Sequence, residues 1–300
     1  MIRIGALAAA MMLALPAAAE AADRAPAACI VARPSDGDIK AYASAFFSEA
    51  DLADLDALAA CLGNPDPAVR DDFAFTLWSE GLRGRYLGDV QMRQSLALFT
   101  EMVAGPDDPG GFRRPFAALA LSEVARADRI KPFLTGEELH DLAVSAAAYL
   151  LSISDYRGFV AGEGWRHGVA HGADLSMQLA LNPRLARADA DLLLGAVAAQ
   201  VAPAASPYYR HGEPARLARP VLFLAKRPDI DDAAWANWFR TLHPDASPRW
   251  KAAYRSDAGL AAVHNVTAFA NALYMTAAEM QDPQIRRLAP LAIGLLKALP

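Results

Sequence analysis

From residue 38 onward the chain reads as a series of Ala- and Leu-rich segments, each about 12–20 residues long, cut by Pro, Gly and Asp and joined by short connections. Runs with the strict alternation of a half-buried strand are hard to find, and β-branched residues are scattered. Each segment must bury its apolar stripe against a neighbour, so successive helices are expected to pack antiparallel as hairpins. The spacing predicts helices near 38–48, 50–62, 67–82, 88–104, 112–128, 135–153, 164–181, 187–201, 213–226, 231–242, 257–280 and 283–298. Several carry start signals: Asp66-Pro67 before the third, Thr135 with Glu138 three residues on as a capping box, and Asp231-Asp232 in the first turn of a late one. No exact repeat, long linker or change of composition divides the chain. The expected fold class is all-α, with antiparallel helical hairpins in a degenerate HEAT-like solenoid or a closed α/α toroid, as one domain over residues 22–300.

The first residues read as a processing signal. Arg3 supplies a short basic region, Ile4 to Leu15 an apolar one, and Ala17-Ala18-Ala19 or Ala19-Glu20-Ala21 a cleavage site, so residues 1–21 are expected to be a signal peptide. Export to the periplasm of a bacterium, or secretion, follows. The apolar run is short for a span of about 20 residues, and no later segment is long and charge-free enough. Cys29 lies too far on to be the lipid-bearing residue of a lipoprotein. Cys29 and Cys61 are the only cysteines, and in an oxidising space they are expected to pair; two buried free thiols are the other reading. With no third Cys and no CxxC, a thiolate zinc site is excluded. A formal charge of −5 without a basic run argues against a nucleic-acid partner.

The densest chemistry lies between Asp155 and Asp174, DYRGFVAGEGWRHGVAHGAD. If Gly164 or Trp165 opens a helix, His167, His171 and Asp174 fall at i, i+4 and i+7 and share one stripe, while Val169, Ala170, Ala173 and Leu175 make the rest of the cylinder fit for burial. Gly168, Gly172 and Ser176 form a second stripe, where a neighbouring helix could approach. Asp155 and Arg157 are expected on the preceding loop, where a carboxylate or an anionic ligand would suit the helix N-terminus, or where Asp155 simply pairs with Arg157. Further along, His211, Glu213 and Arg216 cluster at a helix start, with an i, i+3 ion pair between Glu213 and Arg216 as the plain reading. His264 is either a backbone-bonded core histidine or a contributor to the same site. Arg70, Asp71 and Asp72 suggest an inter-helix ion pair, and Trp235, Trp238 and Trp250 suit packing better than a sugar platform.

The run at 155–174, together with DPAVRDDFAF at 66–75, RPFAALALSEVARAD at 114–128, HGEPARLARPVLFL at 211–224 and NVTAFANALY at 265–274, resembles the bacterial family known as domain of unknown function 2785. The resemblance covers roughly residues 55 to 280. It implies a helical fold and no activity. The chain departs from the family pattern at Pro115, where a small hydroxyl residue is usual, and at Arg166, where Ala is common.

Three chemistries suit the stripe. His167, His171 and Asp174 are candidate ligands of a divalent metal for a metal-assisted hydrolase, although the general-base Glu of an HExxH motif is absent. The same three are candidate catalytic groups for metal-free acid/base work, as in a His-based glycan lyase with Tyr156 and Arg157 nearby. In the third, Asp155, Arg157, Trp165, His167, His171, Asp174, His211, Glu213, Arg216 and His264 line a pocket that recognises a small polar or anionic ligand or a protein partner, or else form a buried structural network. Binding is the leading expectation. No nucleophile elbow, P-loop or dinucleotide fingerprint favours an enzyme.

Overall fold

The computed structural model describes residues 28–31, 38–243 and 248–300; the expected signal peptide, 1–21, lies outside the described residues. The chain is mostly helical: α1 (Ile39–Glu49), α2 (Leu52–Ala60), α3 (Pro67–Val69), α4 (Thr76–Gly84), α5 (Asp89–Ala104), α6 (Arg113–Ile130), α7 (Gly136–Ser152), α8 (Gly168–Ala180), α9 (Arg187–Val201), α10 (Glu213–Leu224), α11 (Asp232–Leu242), α12 (Asp257–Glu279), α13 (Pro283–Arg286) and α14 (Leu288–Ala298). The one sheet among the described residues is a hairpin of β1 (Phe159–Val160) and β2 (Gly164–Trp165). The caps read from the sequence form: Asp66 accepts from the Ala68 amide at 2.9 Å, Thr135 and Glu138 exchange bonds as a capping box, and Asp231 accepts from the Ala234 amide at 2.7 Å.

Every second helix from α4 onward belongs to one rank. Helix α4 packs on α6, α6 on α8, α8 on α10, α10 on α12 and α12 on α14, while α5, α7, α9 and α11 form a second rank behind them. Helix α8 therefore sits mid-rank between α6 and α10, backed by α7. Its residues from Gly168 to Ser176 are all buried, with Leu179 and Ala180. Full burial of Leu175 and Leu179 contributes about 1.5–3 kcal/mol each. The close approach expected of the glycine stripe is present. A Cβ on Gly172 would stand 2.6 Å from Leu150 Cδ2 and 3.0 Å from Tyr149 Cε1, so α7 lies where a side chain would otherwise be. Ser176 closes the stripe by donating to the Gly172 carbonyl at 2.9 Å.

Three expected helices come out differently. The segment at 164–181 does not open at Gly164 or Trp165: those residues pair with Val160 and Phe159, and the helix begins only at Gly168 after a left-handed residue. The helix at 67–82 extends to Gly84 and passes through a π turn at Arg70–Phe75, which lets Arg70, Phe73 and Ala74 all be buried. The helix at 283–298 breaks at Arg287, whose guanidinium bonds the carbonyls of Ala225 and Ile230 at 2.9 and 2.8 Å and so ties the break to the α10–α11 connection. Cys29 and Cys61 are joined by a disulfide that anchors the first described residues to the end of α2. Among the described residues no helix is long and apolar enough to cross a membrane.

Candidate functional site

The site is built around the N-terminus of α8. His167, its N-cap, has left-handed backbone angles, φ 55° and ψ 37°, a conformation costing a non-glycine residue roughly 1–2 kcal/mol. The hairpin before it enforces the shape: Arg166 donates its amide to the Gly158 carbonyl at 2.9 Å and His167 to the Arg157 carbonyl at 3.2 Å. His167 therefore stands outside the helix, and the expected i, i+4, i+7 stripe shrinks to His171 and Asp174. The break turns the His167 ring onto Trp165, centroids 4.7 Å apart and nearly parallel, with His211 edge-on to both. Trp165 is 39% exposed and also contacts Phe159. Gly158 makes room for the cluster, because a Cβ there would collide with the His211 ring.

The hydrogen bonds assign both imidazole tautomers. His167 Nε2 lies 3.0 Å from the His211 carbonyl and His171 Nδ1 lies 3.0 Å from the Pro115 carbonyl. A carbonyl only accepts, so each of these nitrogens carries the proton, and His167 Nδ1 and His171 Nε2 are left as acceptors. Burial pushes the pKa of His171 down to about 3, with the neighbouring His167 adding to the effect, and burial lowers that of His167 as well. Both rings are neutral at pH 7. His171, held edge-on to Phe116 at 5.2 Å, is too weak a base to take a proton efficiently near neutrality.

One turn on, Asp174 binds across to α10. Arg216 Nη1 lies 2.6 Å from each carboxylate oxygen and Arg219 Nη1 lies 3.6 Å from one. Burial raises the Asp174 pKa, and Arg216 and Arg219 oppose that rise. The expected Glu213–Arg216 pair is absent. Glu213 instead accepts the His211 amide at 2.9 Å, fixing the turn before α10, while Arg216 reaches the neighbouring helix. The charge row continues on α6 and α4, where buried Glu123 accepts two bonds from Arg83. Arg219, Glu123 and Arg83 escaped the sequence reading. Arg219 is one turn from Arg216 and was within reach of a spacing argument; the other two had no local signal.

The loop residues largely satisfy each other. Asp155 accepts from the Arg157 amide at 3.0 Å and from its guanidinium; burial raises the Asp155 pKa, but these bonds outweigh it and hold the carboxyl low. Arg166 is buried, bonded to the Gly110 carbonyl at 2.6 Å and to Glu163 at 2.5 Å, and lies with Arg70 over the Phe112 ring. Arg70 pairs with Asp71 beside it, not across helices, and binds the carbonyls of Asn64, Pro65 and Glu163. His264 donates to the Tyr209 carbonyl at 3.1 Å and lines a cavity whose lining includes none of His167, His171 and Asp174. Trp235, Trp238 and Trp250 are buried packing residues. Among the described residues no group of three or more His, Cys, Asp or Glu side chains is placed to hold a metal ion, and Asp174 commits both oxygens to Arg216.

A family model described as "Protein of unknown function (DUF2785)" matches residues 98–275, more than half of the chain and all of this site from Pro115 to Arg219. No curated protein and no solved structure matches the chain.

Proposed function

The chain belongs to the DUF2785 family, and we propose that it is an exported recognition protein, one domain over residues 22–300, that binds a small polar or anionic ligand at Trp165, His167 and His211, with Arg216 and Arg219 supplying positive charge from α10. The helical pairs stack in the manner of a HEAT-like solenoid, a reading supported by the two ranks of alternating helices. The observation that carries the function is His167: a non-glycine residue held left-handed, with one ring nitrogen bonded to backbone and the other left as an acceptor beside an exposed tryptophan. Strain of this kind clusters where a side chain must be aimed. The ligand's donor faces His167 Nδ1, its apolar face lies on Trp165, and its negative charge is met by Arg219 and Arg216, both partly exposed. His171 and Asp174 act as supports beneath, bonded to Pro115 and Arg216. Metal-assisted hydrolysis or lyase chemistry is less well supported, since His171 is a weak base and Asp174 is occupied. The charge balance and the absence of a basic run disfavour nucleic acid.

Trp165 reports on this site, because Trp78, Trp235, Trp238 and Trp250 are buried. Inorganic phosphate, small dicarboxylates and monosaccharides titrated against the protein should include a class that changes its emission saturably and protects it from acrylamide, with the response lost in Trp165→Phe. If none of the three classes alters the emission or the thermal midpoint, the reading fails.

A further inference from the structure

The segment Pro207–His211 runs without regular structure between α9 and α10, yet side chains hold its backbone at every second residue, Pro207, Tyr209 and His211. Asn265, fully buried on α12, donates to the Pro207 carbonyl at 2.8 Å and accepts from the Tyr209 amide at 3.1 Å. His264 donates to the Tyr209 carbonyl, Glu213 accepts the His211 amide, and His167 donates to the His211 carbonyl. The Tyr209 hydroxyl anchors inward, donating to Gln200, whose amide in turn reaches the Leu150 carbonyl. A connection that only joined two helices would be solvated by water and need none of this.

The consequence is an alternating strap. Tyr209 is buried, while Tyr208 and Arg210 on either side are exposed and both line a cavity of about 690 Å³. Its floor is made of small side chains, Ala268 and Ala272 one turn apart on α12 and Pro214 and Ala215 at the start of α10. His264 completes the wall, its ring 5.8 Å from that of Tyr208. Cavities of roughly 300–1,000 Å³ with apolar floors and a few fixed polar groups are the usual form of a small-molecule site. Arg210 has no ion-pair partner among the described residues, and Glu213, the nearest acid in sequence, is turned to His211 and does not line the cavity.

We propose that this cavity is a second ligand site, distinct from the one at Trp165, and that it takes a small aromatic carboxylate. The aromatic ring lies on the Ala268 and Ala272 shelf against Tyr208 and His264, and the carboxylate pairs with Arg210, whose planar guanidinium suits that group. Strapping the backbone in advance removes ordering cost on binding.

The test is a titration followed by two-dimensional NMR, with phenylacetate as probe and cyclohexylacetate, benzyl alcohol and acetate as comparators. Phenylacetate is expected to bind saturably at millimolar or lower concentration, shifting Tyr208, Arg210 and His264 resonances. It should bind more tightly than each comparator. Arg210→Gln should weaken it roughly tenfold or more, Ala268→Leu should weaken it by filling the floor, and Trp165→Phe should leave it unchanged. Arg210 is exposed, so its substitution leaves the fold intact and the result interpretable. The proposal is overturned if phenylacetate does not saturate, if cyclohexylacetate or benzyl alcohol binds as well, or if Arg210→Gln has no effect.

Discussion

At the scale of single residues, burial decides the chemistry. His171 has a folded-state pKa near 3 against about 6.5 when unfolded, so the unfolded chain binds more protons throughout that interval. Stability from this group is complete above pH 6.5 and is lost as the pH falls towards 3. The loss amounts to about 2 kcal/mol by pH 5. Urea denaturation at pH 7.5 and pH 5 should show a drop that His171→Gln reduces by about that amount, and an equal drop in both proteins would refute the assignment. The residue types of the site were legible because His171 and Asp174 stand one turn apart on an otherwise apolar helix. The left-handed state of His167 was not, since nothing in its own sequence neighbourhood distinguishes it from the first residue of a longer helix. Nor was the partner of Arg216 legible. Glu213 and Asp174 offer the same charge, and the neighbouring helix decides which lies closer.

At the scale of elements, boundaries followed local signals where these exist. The caps at Asp66, Thr135 and Asp231 are short-range hydrogen bonds and stood in the sequence as such. The hairpin of β1 and β2 has two residues per strand, too few for alternation to register, and its glycines read equally well as a loop. The glycine stripe of α8 was legible as a packing demand without naming α7 as the partner. Gly172→Leu should destabilise the fold by about 1–3 kcal/mol, because the new side chain meets Leu150 and Tyr149 in a packed core. Gly172→Ala should cost less, since Leu150 Cδ2 is the end of a flexible side chain. Chemical denaturation of the two variants checks the order; an unchanged midpoint for the leucine variant would mean that α7 does not press on this face.

At the scale of the molecule, the helical class was legible from composition and the lack of alternation, while the arrangement in two ranks needed the contacts between helices. The disulfide of Cys29 with Cys61 closes a loop of 32 residues, and removing it should cost about 3–4 kcal/mol on the chain-entropy account. Thermal midpoints of the parent and of Cys29→Ser/Cys61→Ser measure that cost, and thiol titration of the denatured parent should find no free thiol. On the proposed function, His167 is strained for recognition and not for support. His167→Gly removes a backbone cost of roughly 1–2 kcal/mol and loses one hydrogen bond and the ring contacts with Trp165, His171 and His211, which act in the opposite direction. The variant should stay within about 2 kcal/mol of the parent's stability and lose the ligand-dependent change in Trp165 emission. A variant that keeps the emission response, or that loses about 3 kcal/mol or more of stability, would contradict that function.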